Sequence, residues 1–153
     1  MAATTVLANH LRLSIDPEGA AAAVWVECQV VGLTFTQPAQ GEPQLVFTAC
    51  PNTTVDEPGD PVNGALSGEV MADFGATGVS RLLIEHLDEV VTFDLWLNVD
   101  DPGGTKAQVV HFTGTARVRP VTITWTPRKN QRHNIDLAVL TATPTFDATP
   151  PAA

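Results

Sequence analysis

Apolar residues recur at every second position of this chain, in one short run after another, and that period confines most of it to β-strands with one buried face. Leu11, Leu13 and Ile15 alternate with His10, Arg12, Ser14 and Asp16, and the run stops at the turn-forming Asp16-Pro17-Glu18-Gly19. From Val24 to Phe35 the alternation continues, with Val24, Val26, Cys28 and Val30 against Trp25, Glu27, Gln29 and Val31. This stretch predicts one long strand, apolar enough on both faces to be covered by the fold or by a neighbouring subunit. Prolines then break the texture, so that only 44–49 reads as a strand. Residues 51–64 read as a long acidic loop carrying Asp56, Glu57 and Asp60.

Order returns with Leu66, Gly68, Val70, Ala72 and Phe74 on one face and Ser67, Glu69, Met71 and Asp73 on the other. After Gly78 the period lengthens to about 3.6. Val79, Leu82, Leu83, His86, Leu87 and Val90 then form one stripe, which predicts a helix over about 79–90, with Thr77 as a candidate cap. Phe93, Leu95, Leu97 and Val99 begin a hairpin that turns at Asp101-Pro102-Gly103-Gly104. It returns through Val110, Phe112, Gly114, Ala116 and Val118. Val121, Ile123 and Trp125 predict a further strand, and Ile135, Leu137 and Val139 open a last one that runs to about Thr145. The fold class is therefore mostly β: a β-sandwich or barrel of seven to nine strands with one flanking helix. A single domain is expected over 1–148, with a disordered tail at 149–153.

Composition narrows the function classes. The 17 acidic residues outweigh 8 basic ones, for a formal charge of −9, which disfavours a surface built to grip phosphates. An acidic surface suits solubility, or a wall past which nucleic acid slides. The first residues lack a basic region followed by an apolar core, and no run reaches the length of a membrane helix, so no secretion signal and no membrane association are expected. Cys28 and Cys50 are then expected as free thiols, a single structural disulfide being the alternative. Asn52-Thr53-Thr54 matches a glycosylation sequon but reads as a turn in that context.

Reactive constellations do not assemble in the sequence. His10, His86, His111 and His133 lack partners at metal-ligand spacing, so neither a metal nor a cofactor is expected. His86 should border the helix–sheet contact and the other three should lie at the surface. Gly78-Val79-Ser80-Arg81-Leu82 begins like a nucleophile elbow but lacks its closing glycine. Asp56-Glu57, Asp88-Glu89 and Asp100-Asp101 are sequence neighbours with solvated explanations, and Glu69 and Asp73, on one strand face, would stand about 13 Å apart. No catalytic residue is assigned and the chain is expected not to be an enzyme. The run Arg128-Lys129-Asn130-Gln131-Arg132-His133 is the one basic concentration: a solvated turn, or a patch that meets the acidic 56–60 segment of another copy.

Between Leu66 and Thr145, about half of the chain, the order of features resembles major tail tube proteins of long-tailed bacteriophages. The residues concerned are Leu66-Ser67-Gly68-Glu69-Val70-Met71-Ala72-Asp73-Phe74, then Gly78-Val79-Ser80-Arg81-Leu82-Leu83. They are followed by the hairpin from Val91 to Val118, closing on Gly114-Thr115-Ala116-Arg117-Val118, and by a late return strand. Members commonly show a Leu-x-Gly strand ending in Asp-aromatic, a short Ser-Arg-Leu helix, and a hairpin whose second strand carries Gly-Thr-x-x-Val.

The resemblance implies a structural virion protein, assembled in the host cytoplasm, that forms rings of identical subunits, commonly hexamers, stacked into a tube through which DNA passes. Other tail components, such as a tape measure and a tail terminator, would complete it. It also implies a long loop reaching the adjacent ring, for which Asp56, Glu57 and Asp60 are candidates. Acidic residues facing the lumen would be Glu69, Asp73 and Asp94, and Arg128, Lys129 and Arg132 would form a patch between subunits. Two other readings stay open. One is a capsid decoration or head–tail joining protein. The other is a carbohydrate-binding β-sandwich using Trp25, Trp96 or Trp125, of which Trp96 lies on the polar face of its strand.

Overall fold

Six of the alternating runs become strands of one sheet, which is joined by a two-residue edge strand. The computed structural model describes residues 11–17, 24–25, 29–47, 54–57, 59–97 and 109–147, with 44–47 and 54–57 described through their backbone alone. Cys28, Cys50, Asn52, His10, the turns at 18–19 and 101–104 and the tail at 149–153 lie outside the described residues. The strands are β1 (Leu11–Pro17), β2 (Val24–Trp25), β3 (Val30–Thr36), β4 (Ala39–Gln40), β5 (Gln44–Phe47), β6 (Thr54–Glu57), β7 (Pro61–Val62), β8 (Gly64–Met71), β9 (Val90–Leu97), β10 (Val110–Val118) and β11 (Arg132–Phe146), with α1 (Val79–Glu85) between β8 and β9. Seven form an antiparallel sheet in the order β2-β1-β9-β10-β11-β8-β3.

The inner face of this sheet is the core. Leu13 and Ile15, Leu66 and Val70, Val91, Phe93 and Leu95, Ala116 and Val118, and Ile135, Leu137 and Val139 are all fully or almost fully buried. They are the residues that the two-residue period assigns to one side. The sheet curls strongly. The ring of Phe35, on edge strand β3, lies 4.7 Å from that of Phe112 on β10 and 6.2 Å from that of Phe93 on β9, strands three and four places away. Chain connectivity requires the same curl: β2 and β3 are opposite edges of the sheet, yet five peptide steps join Trp25 to Val30, a reach of at most about 18 Å.

That arrangement corrects the long strand expected over Val24–Phe35, which is two strands at opposite edges. Each half satisfies the alternation against a different neighbour, β1 for the first and β8 for the second. Two bulges adjust the registers. Val31 is skipped between β3 and β8, and Leu140 is skipped where Thr115/Thr141 gives way to Ala116/Val139. An extra residue reverses which parity faces inward. Hence Ile135, Leu137 and Val139 point in, while Thr141, Thr143 and Thr145 point out on the same strand.

Four other expectations change. The helix ends at Glu85 and not near residue 90: His86 is its C-cap, Asp88 takes a left-handed φ of 65°, and Val90 already begins β9. Gly78, not Thr77, is the N-cap, and it makes no side-chain capping bond. The strand expected over 121–125 is reduced to one bridge between Ile123 and His133. Residues 51–64 are not a plain loop either, because 54–57 and 61–62 return as β6 and β7 against β5 and β4. The β4–β7 and β5–β6 pairs thus make an arm inserted between β3 and β8.

Candidate functional site

The strand directions give the molecule two ends. At one, β3 finishes and β8 begins, and the arm inserts between them. At the other, β8 and β10 finish and β9 and β11 begin, so α1 and the segment 119–131 share that end. Gly41 donates its N–H to the Asp60 carbonyl at 2.9 Å, and the Gln40 side-chain amide bonds the Gly59 carbonyl. The two backbones run so close here that a Cβ on Gly41 would collide with Asp60, and one on Gly59 with Gly41 and Glu42. Beyond this waist the β5–β6 ladder continues outward. From Ala39 to Phe47 the arm can reach about 27 Å at the rise of an extended strand. Asp60 lies at the waist, exposed, and Asp56 and Glu57 lie on β6.

The outer face of the seven-stranded sheet is a field of hydroxyls. Ser67, Thr92, Thr113, Thr115, Thr141, Thr143 and Thr145 share it by register, while Ser14, on the same side of β1, is buried. Thr115 and Thr141 bond each other Oγ to Oγ at 2.9 Å. Glu69 and Asp94 are on this face. Asp73 is not, since β8 ends at Met71. Its carboxylate accepts the Gly75 N–H at 2.9 Å, and its carbonyl accepts the Ser80 N–H at 3.1 Å. The charges of the outer face are mostly engaged. The His111 Nε2–H donates to Asp94 at 2.7 Å, Arg132 stands 4.0 Å from Glu69, Arg117 donates to the Asp88 carbonyl, and the Arg12 guanidinium lies 4.1 Å over the Trp25 ring. Trp96 stacks on His111 with ring centroids 3.8 Å apart and planes 4° from parallel, so that face of the indole is closed to a sugar ring.

Beneath α1 lies a contact that sequence reasoning missed. Ser80 is completely buried and His133, expected at the surface, is 4% exposed; their Oγ and Nε2 atoms are 2.6 Å apart. The Asp73 N–H donates to Ser80 Oγ at 2.8 Å, the Ser80 hydroxyl donates to His133 Nε2, and His133 Nδ1–H donates to the Asn134 carbonyl at 2.8 Å. Serine beside histidine is the start of a nucleophile and base. Here, however, the third group is a main-chain carbonyl and both side chains are sealed from solvent. The arrangement locks α1 to β11. Its sequence signal was parity: His133 continues the inward series Ile135, Leu137, Val139. His111 is half-buried and His86 bonds Glu89 at 2.7 Å.

The basic run forms an ordered projection. After Val118 the chain continues loosely beside β11, with Arg119 N–H bonded to the Asp136 carbonyl and Thr122 N–H to the Asn134 side chain. The turn that follows is braced by Gln131, whose side chain accepts the Thr126 N–H and donates to the carbonyls of Lys129 and Thr126. Arg128 and Lys129 are exposed at its tip. Among the described residues no cluster of metal-binding side chains occurs, and no helix is long and apolar enough to cross a membrane.

No protein-family model and no curated protein matches the chain. Solved structures do. The SPP1 tail tube superposes with a TM-score of 0.58 at 12% identity, covering 93% of this chain and 80% of that one. The anti-feeding prophage baseplate, solved with six-fold symmetry, gives 0.58 at 8% identity, covering 95% and 99%. The tail of an empty GTA particle, with C6 symmetry, gives 0.52 at 14% identity, covering 90% and 96%. All three are parts of assembled tails or baseplates, and since each superposition covers nine-tenths or more of its length, this chain has the fold of phage tail tube proteins.

Proposed function

We propose that the protein is the ring-forming subunit of a phage tail tube, a structural component of the virion tail without enzymatic activity, through whose stacked rings DNA passes. The carrying observation is the match of nearly the whole chain to parts of a tail tube, a baseplate and a tail, the last two solved with six-fold symmetry. Two features of this chain support the reading. The hydroxyl-rich outer face, with Glu69 and Asp94 and with its cations engaged, suits a wall past which DNA slides, since it offers phosphates few free donors of positive charge. The narrow-waisted arm, carrying Asp56, Glu57 and Asp60, suits an element that reaches an adjacent ring. Tape-measure and terminator proteins would be the further partners.

Negative-stain electron microscopy across a concentration series, beside sedimentation velocity, tests this. Rings or hollow tubes wide enough for duplex DNA are the expected result. A species that stays monomeric at every concentration, or closes as a trimer that binds capsids, would overturn the proposal in favour of a decoration protein.

A further inference from the structure

Half of the chain's cations occupy one short segment. Arg119, Arg128, Lys129 and Arg132 are four of its eight Lys and Arg residues, and no Asp or Glu falls among residues 119–132. The turn that carries Arg128 and Lys129 is braced by Gln131, and beside it Trp125 stands 66% exposed. A large indole held out on a rigid, cationic turn has the make-up of an interface anchor, since aromatic residues with basic neighbours dominate the centres of protein contacts.

A surface of opposite character lies on α1 and the turn after it. Ile84 and Leu87, three positions apart, are 49% and 45% exposed. Around them stand Glu85, Asp88 and Glu89, with Arg81 the one Lys or Arg in residues 81–89. Both surfaces are open in the same molecule, so a subunit's own loop does not cover its own helix. Both also sit at the helix end of the sheet, where Asp88 and Glu89 are hydrogen-bonded to Val118, and Ala72 to Gln131.

We propose that the Trp125 loop of one copy docks on the Ile84–Leu87 patch of the next, with Arg128 and Lys129 meeting Glu85 and Glu89. The contact is head-to-tail, and repetition about one axis closes it into a ring. It rests on the ring-forming function above, and assigns the basic turn to the neighbouring helix instead of to the acidic arm.

Charge reversal tests it. A loop variant, R128E with K129E, and a helix variant, E85K with E89K, are made along with Trp125→Ala. Circular dichroism and melting curves establish that each is folded, and all are compared with the unaltered chain by sedimentation and microscopy. Trp125→Ala should raise the concentration needed for assembly about 30-fold, the effect of truncating an aromatic anchor. Neither reversed variant should assemble alone, whereas their equimolar mixture should, because each loop then faces a helix of opposite charge. Assembly of each variant at the unaltered concentration overturns the contact and leaves the ring-forming function standing. Failure of the mixture also overturns it. So does retention of the unaltered protein on duplex DNA that the loop variant loses, which would give the turn to nucleic acid. An unaltered chain that never forms rings removes both readings together.

Discussion

Replacing Ser80 by alanine isolates the buried lock between helix and sheet. The substitution adds no volume and leaves the helix with a better helix former, so propensity works slightly in its favour. What is lost is one hydroxyl that accepts the Asp73 N–H at 2.8 Å and donates to His133 Nε2 at 2.6 Å. Both partners stay behind without a substitute, in a region where Ser80 and His133 are almost fully buried. A buried polar group left unpaired costs about 1–3 kcal/mol, and the Asp73 N–H is the less deeply buried of the two, so the total should be about 3 kcal/mol. At about 2–4 °C per kcal/mol for a chain of this size, the melting temperature should fall by roughly 6–12 °C. Urea denaturation of the dilute subunit supplies the free energy directly. The companion His133→Leu should also destabilise, and S80A on that background should cost distinctly less than on the natural one, because His133 is then no longer orphaned. A Ser80→Ala protein within about 0.5 kcal/mol of the parent, or fully additive substitutions, would refute the lock.

Other perturbations read other parts of the fold. Excising residues 42–59 and joining Gly41 to Asp60 through Asn-Gly should leave melting unchanged within a few degrees, because the excised strands pair with each other; single rings should form but not stack, and full-length tubes by microscopy would remove the arm from stacking. Phe35→Ala opens the contact that holds the curled edge over Phe93 and Phe112, and should cost about 2–3 kcal/mol in urea denaturation. Gly114→Ala drives a methyl group into the Thr141 carbonyl beside the β10–β11 bulge, and should destabilise by more than about 1 kcal/mol, a loss that proteolytic susceptibility would register.

Much of the core was legible because burial on one sheet face leaves a period of two that no other structure imitates over many strands. Leu13 and Ile15, Phe93 and Leu95, and Ile135 to Val139 all point as their parity demands. The split of the Val24–Phe35 run was not legible, since the same alternation serves two strands as well as one, and the choice of neighbour is made by tertiary pairing. The helix was overrun for a related reason: Leu87 and Val90 fall on its stripe by spacing, while Asp88 and the start of β9 end it through contacts with Val118. The outer-face positions of Glu69 and Asp94 followed from parity, but Asp73 lies past the strand end, where parity has no meaning. Ser80 and His133 stand 53 residues apart, and no local pattern joins them.

The order in which the chain leaves the ribosome does not match the order in which its sheet can close. Strand β1 is made first, yet its long ladder is with β9, roughly 80 residues later, at synthesis rates of about 5–20 residues per second. For about 4–16 s the alternating segment Leu11–Ile15 is outside the ribosome with its principal partner still unmade. The β9-β10-β11 meander, by contrast, can zip as it emerges. Each newly made chain therefore passes through a window in which its alternating first strand can pair with the wrong partner.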